Sequence, residues 1–72
     1  MIAIVDDDES VRVATSSLVR SFGFKTTVFA SAEDFLASPT MPRTACLVTD
    51  VQMPTMSGIE LFEALRARGV AL

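Results

Sequence analysis

Apolar runs and aspartates alternate along this chain in a regular way. Residues 2–5 (Ile-Ala-Ile-Val) lead directly into Asp6, and residues 45–48 (Ala-Cys-Leu-Val) are followed, after one threonine, by Asp50. Continuous apolar runs of this length are typical of strands buried on both faces of a parallel sheet. Between them, residues 24–30 contain β-branched and aromatic side chains, which indicates a further strand. The pattern therefore predicts three short strands.

Helical signals follow the first two predicted strands. Apolar and small residues recur at helical spacing over residues 11–22, and Gly23 supplies a stop. Ser31 stands three positions before an acidic residue, a capping pattern that predicts a short helix over about 32–37. The proline-containing segment 39–43 is predicted to be a loop.

A third helix is predicted after a proline-containing loop over residues 51–56. Ser57 and Glu60 form another capping pair, and Gly69 ends the helix. The wide apolar face of this helix comprises Ile59, Leu61, Phe62 and Leu65. We expect the core of the protein to contain the side chains of Phe22, Phe24, Phe35, Cys46 and Phe62.

Strands that alternate with helices indicate an α/β fold with a parallel sheet, in the order βαβαβα. Right-handed crossovers and one reversal of winding give the strand order 2-1-3, with the first helix on one face and the other two on the opposite face. We therefore predict a partial doubly wound, flavodoxin-like sheet, with residues 1–72 forming one domain.

Composition and charge argue against several classes of function. Half of the residues are hydrophobic, yet no apolar run approaches the roughly 18 residues of a membrane span. The net charge of -3 and the scattered basic residues argue against direct nucleic-acid binding. Cys46 is the only cysteine, which excludes a disulfide within the chain and favours a reducing cytoplasm. A metal-dependent hydrolase is disfavoured because no histidine accompanies the carboxylates.

The acidic residues Asp6, Asp7 and Asp50 all follow strands that are predicted to lie side by side. In a sheet of this winding, ligands bind beyond the carboxyl ends of the strands, at the point where the winding reverses. Three carboxylates gathered there repel one another unless a hard divalent cation lies between them. Magnesium prefers oxygen ligands, so these side chains with a backbone carbonyl near Gln52 would suffice to hold it.

The same acidic cluster has a simpler explanation as the start of a helix. Negative side chains stabilise a helix N-terminus by capping it and by interacting with its dipole. We adopt this explanation for Asp8 and Glu9. For Asp6 and Asp7 we favour the metal site, because Asp50 is predicted to meet them.

Two segments together resemble the receiver domains of two-component response regulators. Val5-Asp6-Asp7 follows the first strand, and residues 50–58 (Asp-Val-Gln-Met-Pro-Thr-Met-Ser-Gly) follow the third. The resemblance implies that Asp50 accepts a phosphoryl group. It also implies that Asp6, Asp7, Asp50 and the backbone carbonyl of Gln52 hold Mg²⁺. A histidine kinase would be the partner, and the protein would be a signalling module and not an enzyme.

For three other residues of these segments, the resemblance implies a role beside the site, but a purely structural role is also possible. Met53 and Pro54 would shape the loop beside the site, and Gly58 would let the third helix start close to it. Equally, Met53 can fill the core, Pro54 can serve a turn, and Gly58 can be tolerated in a first helical turn.

The resemblance extends over the whole chain but only over the first three of the family's five βα units. Residues 11–12, 29–33 and 47–50 further resemble receivers attached to helix-turn-helix transcription factors of the nitrogen-fixation regulator type. The family's Ser or Thr after strand four and Lys after strand five have no counterpart among these residues. The only lysine, Lys25, stands at the start of the second strand. We therefore expect phosphorylation at Asp50 to be slow or undetectable.

The alternative function is that of a truncated or degenerate receiver that acts only through self-association. The third strand, residues 45–49, is predicted to be an open, apolar edge of the sheet, and such edges tend to pair. The first helix alone is predicted to cover one face of the sheet. Apolar side chains of strands one and three on that face should therefore be exposed. We therefore expect a homodimer formed through the edge of the third strand.

Overall fold

The computed structural model describes residues 1–70, and the last two residues of the predicted 1–72 domain lie outside the described residues. Strands and helices alternate along the chain, with one short 3₁₀ helix before the third strand. The elements are β1 (Ile2–Val5), α1 (Glu9–Ser21), β2 (Thr26–Phe29), α2 (Ala32–Ala37), the 3₁₀ helix (Met41–Arg43), β3 (Cys46–Thr49) and α3 (Gly58–Ala67).

The three strands form one parallel sheet with β1 in the centre. Val5 of β1 is in register with Phe29 of β2 on one side and with Thr49 of β3 on the other. The strand order is β2-β1-β3, which confirms the predicted α/β fold and its 2-1-3 winding. Among residues 1–70, no helix has the length and apolar character needed to cross a membrane.

Short polar side chains start the three helices as the sequence predicted. Asp8 accepts a hydrogen bond from the Val11 N–H at 3.2 Å, so it is the N-cap of α1. Ser31 caps α2 in the same way, by accepting from the Asp34 N–H at 3.1 Å. Each such cap stabilises a helix by about 1 kcal/mol, because it satisfies a backbone donor that the helix itself leaves free.

At α3 both halves of the predicted capping box form. The Ser57 side chain accepts from the Glu60 N–H, and the Glu60 carboxylate accepts from the Ser57 N–H, each at 3.1 Å. Gly69 follows the C-cap with φ +74°, a conformation that L side chains rarely adopt. The boundaries of α3 therefore follow from local chemistry.

Segment 39–43 and the start of β2 are among the places where the structure differs from the prediction. The segment predicted as a loop over 39–43 contains the 3₁₀ helix, which is closed by a hydrogen bond from the Thr44 N–H to the Met41 carbonyl at 3.1 Å. β2 begins at Thr26 rather than at Phe24. The Ile2 N–H still bonds to the Lys25 carbonyl at 2.8 Å, so the pairing starts one residue before the strand.

The principal core lies between the sheet and the pair α2 and α3. Successive strand residues point to opposite faces, so Ala3 and Val5 share this face and Ile4 points away from it. One cluster of buried side chains joins β1 to both helices: Ala3, Val5, Ala32, Phe35, Leu61 and Leu65. Ile4 is also buried, on the face that α1 covers by packing over β1 and β2.

The predicted core is wrong at four of its five positions. Phe35 is fully buried, but Phe22, Phe24 and Phe62 are more than half exposed, and Cys46 is exposed as well. Phe22 and Phe24 lie in the turn after α1, beyond the part of that helix that meets the sheet. Cys46 lies on the α1 face of β3, and α1 packs over β1 and β2 instead.

Because α1 packs over β1 and β2 only, it also determines which apolar strand residues are exposed. Ile4 and Val48 are in register on the α1 face, but Ile4 is 1% exposed whereas Val48 is 40% exposed. Exposure of apolar side chains is therefore confirmed for β3 and wrong for β1. β1 is covered because it is the central strand and lies under α1.

Candidate functional site

The sheet ladder continues one residue beyond β1 and β3 and so carries two aspartates to the same edge. The Asp6 N–H donates to the Phe29 carbonyl, and the Asp50 N–H donates to the Val5 carbonyl, both at 3.1 Å. Because the strands are parallel, Asp6 and Asp50 emerge side by side at their carboxyl ends. This is the point between β1 and β3 at which the winding reverses.

The structure brings together the three predicted carboxylates. One oxygen from each of Asp6, Asp7 and Asp50 lies within 4.8 Å of the other two. All three residues are accessible to solvent. Three negative charges at this spacing repel one another, and a small cation between them would relieve that repulsion.

Backbone donors hold two of these carboxylates and leave part of each free. Asp6 Oδ1 accepts from the Asp8 N–H at 2.9 Å. Asp50 Oδ1 accepts from the Gln52 N–H at 3.4 Å, a longer contact at the exposed start of the loop after β3. The second oxygen of each carboxylate therefore remains available to a ligand.

These residues fit a magnesium ion by the chemistry of their donors. Magnesium takes oxygen ligands in near-octahedral geometry and usually keeps several waters. The cluster offers carboxylate oxygens only, and its exposure leaves room for those waters. Gln52, whose backbone carbonyl was predicted as a further ligand, lies two residues after Asp50 and is exposed.

Gly58 allows α3 to start against the backbone of Asp50. Gly58 is buried, and its N–H donates to the Val51 carbonyl at 2.9 Å. A Cβ atom at this position would stand 2.5 Å from the Asp50 carbonyl oxygen and 3.2 Å from Thr49 Cγ2. The close approach predicted for Gly58 is therefore present in the structure.

Met53 and Pro54 have structural roles in the same loop. Met53 is partly buried and packs against the core cluster, in agreement with its reading as core filler. The Pro54 carbonyl accepts from the Met56 N–H at 2.7 Å and so closes a tight turn. The residue inside that turn, Thr55, has φ +71°, which is unusual for a β-branched side chain.

Sequence reasoning missed one side chain that contacts the site. Arg12 extends from α1 toward the loop after β1 and donates from a guanidinium N–H to the Asp6 carbonyl at 2.9 Å. Arg12 is not one of the apolar or small residues that predicted the helix, and nothing in that pattern indicated this contact. The available signal was an arginine in the second turn of a helix that follows an acidic loop directly.

The comparison with protein families identifies the class of protein. Residues 2–72 match the family model described as Response regulator receiver domain. The chain therefore belongs to the response regulator receiver family. It is the receiver of a two-component response regulator, as the paired aspartate segments predicted.

Curated relatives agree over almost all of this chain. Response regulator protein TodT of Pseudomonas putida is 44% identical over 69 residues, which are 96% of this chain and 30% of the relative. Transcriptional regulatory protein FixJ of Azorhizobium caulinodans is 42% identical over 66 residues, which are 92% of this chain and 31% of the relative. The chain thus spans about a third of these relatives, and the names of several of them are those of transcriptional regulators.

Solved structures show the same fold. The crystal structure of FixJ-N superposes with a TM-score of 0.86 at 38% identity, covering 99% of this chain and 57% of that one. A Vibrio cholerae chemotaxis protein, CheY4, superposes with a TM-score of 0.85 at 29% identity, covering 94% of this chain and 57% of that one. The flavodoxin-like winding is therefore confirmed by structure as well as by sequence.

Proposed function

We propose that this receiver accepts a phosphoryl group on Asp50 with a magnesium ion held by Asp6, Asp7 and Asp50. The observation that carries this proposal is the approach of the three carboxylates to within 4.8 Å at the carboxyl ends of adjacent strands. Membership of the receiver family supports it, because the same arrangement was expected from the resemblance alone. A histidine kinase is the proposed donor, and the cytoplasm the proposed compartment.

Transfer to Asp50 requires a nucleophilic oxygen and stabilisation of the charge that develops on the phosphoryl group. An Asp50 carboxylate oxygen attacks phosphorus, the bond between phosphorus and the donor atom breaks, and the donor leaves with that electron pair. Bound magnesium would neutralise charge on the phosphoryl oxygens. The chain's own contribution is to place Asp50 by its backbone hydrogen bond to Val5 and to keep one carboxylate oxygen free.

We expect an acyl phosphate to label the wild-type chain slowly in the presence of Mg²⁺. Positive charge from protein side chains near Asp50 would speed the transfer, but the only lysine, Lys25, lies before β2, at the opposite end of the parallel sheet. Intact mass spectrometry after timed incubation measures the gain of one phosphoryl group. Asp50→Asn should abolish the label.

Asp34→Asn is the matched control for this experiment. Asp34 is an exposed carboxylate in the first turn of α2 and lies outside the acidic cluster. The Asp34→Asn variant should be labelled at the same rate as the wild type. A label that persists in Asp50→Asn would assign the phosphoryl group to another residue, and a wild-type chain that is never labelled would favour a degenerate receiver.

We further propose that two copies of the 72-residue chain associate through β3. Within residues 1–70, β3 pairs with β1 along one edge, and its other edge borders an apolar groove of about 320 Å³. The groove is lined by Ala45, Cys46, Leu47, Thr49, Gly58, Phe62, Leu65, Arg66 and Val70. An unpaired strand beside an apolar groove is a template for another strand.

Charge favours a second copy as the occupant of this groove. β3 has basic side chains at its start, Arg43 before it and Arg66 beside it, and the acidic site at its end. A symmetric pair of β3 strands must be antiparallel, and opposed residues must point to the same face of the sheet, so in the register centred on Val48 the Asp50 of each copy would lie opposite Cys46 of the other. The acidic end of each copy would thereby approach the basic end of its mate.

Val48→Lys should weaken this association, because it puts a like charge from each copy at the centre of the paired edge. Sedimentation velocity at several protein concentrations measures the effect. Val13→Lys is the control: Val13 is 56% exposed on α1 and lines a separate groove on the β2 side. A folded wild-type monomer at high micromolar concentration would contradict the proposal.

A further inference from the structure

Asp7 differs from the other two carboxylates in how it is held. Asp6 and Asp50 each receive a backbone hydrogen bond on one carboxylate oxygen. Within residues 1–70, the Asp7 carboxylate receives none. The direction in which Asp7 points therefore depends on its backbone, and in particular on the peptide unit that joins Asp6 to Asp7.

One side chain outside the loop fixes that peptide unit. The guanidinium of Arg12 donates to the Asp6 carbonyl at 2.9 Å, and Arg12 is partly buried. The Asp6 carbonyl and the Asp7 N–H belong to the same planar peptide group, so a bond to one orients the other. The opposite side of Asp6 is held by its N–H bond to Phe29 and by the Asp8 N–H on its carboxylate.

Arg12 itself stands on a rigid support. It lies in the second turn of α1, which Asp8 caps, and its own N–H donates to the Asp8 carbonyl at 2.9 Å. The loop of Asp6, Asp7 and Asp8 is thus closed at both ends, by the sheet and by the helix. Its middle peptide is held by the Arg12 side chain.

We propose that Arg12 is a positioning residue for the metal site. Its guanidinium fixes the peptide between Asp6 and Asp7, so that both carboxylates approach Asp50. The inference rests on the proposed function, because it assumes that the acidic cluster binds a divalent cation. Groups that orient the ligands of a metal typically change metal affinity by 10- to 100-fold when they are removed.

The charge of Arg12 makes the sign of the effect diagnostic. A positive side chain near a cation site repels the cation, so its removal would tighten binding if Coulomb repulsion alone acted. Removal of a positioning contact would weaken binding, because the carboxylates would no longer be held in the binding geometry. Arg12→Ala therefore separates the two effects by the direction of the change in Kd.

The test is a Mg²⁺ titration of the full 72-residue chain, followed through backbone amide shifts in NMR spectra. We expect Arg12→Ala to raise the Kd for Mg²⁺ about tenfold. In the metal-free spectrum, the Asp7 amide should shift, since its peptide group loses a hydrogen bond. Arg12→Lys keeps a donor and the charge on a long stem, and we expect a Kd within about threefold of wild type.

Arg20→Ala is the matched control. Arg20 lies on the same helix, two turns further on, and its guanidinium donates to Thr26 Oγ1 at 2.6 Å, away from the acidic loop. Its removal deletes one arginine and one hydrogen bond and should leave the Kd unchanged. If Arg12→Ala gives a spectrum without dispersed amide signals, Arg12→Gln replaces it, since it removes the charge and shortens the reach with less loss of packing.

The two proposals fail in different ways. A wild-type response at residues 5–8 and 50–53, with an unchanged or lower Kd in Arg12→Ala, overturns the role of Arg12 alone. If the wild-type chain shows no response at millimolar Mg²⁺, the proposed metal site is contradicted, and so is the role of Arg12. A tenfold higher Kd in Arg12→Ala, with Arg20→Ala unchanged, supports both.

Discussion

Replacing Phe35 by alanine is expected to unfold most of the protein at 25 °C. Phe35 is 0% exposed and lies in the cluster that joins β1 to α2 and α3. Its ring meets that of Phe29 edge to face, with the ring centroids 5.4 Å apart. Truncation of a buried phenylalanine costs about 3–5 kcal/mol, from lost burial and from the cavity left behind. A single core of this size supplies about the same amount.

The measurement is the free energy of unfolding from urea titrations followed by circular dichroism, at one protein concentration for all variants. Phe22→Ala is the matched control. It removes the same atoms from a side chain that is 71% exposed, so its effect should stay within about 0.5 kcal/mol. A urea midpoint for Phe35→Ala close to that of the wild type would show that α2 does not depend on this contact.

Replacing Gly58 by alanine is expected to destabilise the protein by about 1–3 kcal/mol and to disturb the site at the same time. The new Cβ would stand 2.5 Å from the Asp50 carbonyl oxygen, and a backbone atom cannot move aside as a flexible side chain can. α3 must therefore shift away from the end of β3. The backbone amides of residues 50–53 should change their chemical shifts.

Gly23→Ala is the control that separates crowding from backbone strain. Its Cβ would meet nothing within 4 Å, but Gly23 has φ +88°, which costs an L residue about 1–2 kcal/mol. The stability losses of the two variants can therefore be similar. Only Gly58→Ala should move the amides of residues 50–53, and unchanged shifts there would mean that α3 has room beside Asp50.

Much of the fold was predictable because the decisive signals are local. Apolar runs that end at Asp6 and Asp50 marked two strands, and the polar side chains of Ser31 and Ser57 marked the starts of two helices. Each of these signals acts through neighbouring backbone groups, so the sequence alone contains it. The 2-1-3 winding followed because right-handed crossovers leave few arrangements for three parallel strands.

The content of the core was predictable only in part. Phe22, Phe24 and Phe62 have the same side chain as Phe35, yet only Phe35 is enclosed. Burial depends on which elements lie opposite a residue, and a single sequence does not give those distances. On α1 the buried residue is Ser16, whereas the apolar Leu18 is 60% exposed, because that helix meets the sheet along a different stripe from its apolar one.

The candidate site divides in the same way. By itself the sequence determined which residues carry carboxylates at strand ends, because strand length and the order of elements follow from local patterns. That Asp6, Asp7 and Asp50 come within 4.8 Å, that Gly58 abuts the Asp50 carbonyl, and that Arg12 reaches the Asp6 carbonyl were decided by tertiary structure. The first of these contacts joins the ends of two different strands, and the other two each join a helix to the loop that precedes it. Their distances depend on how α1 and α3 pack against the sheet, which is a property of the whole fold and not of any one segment.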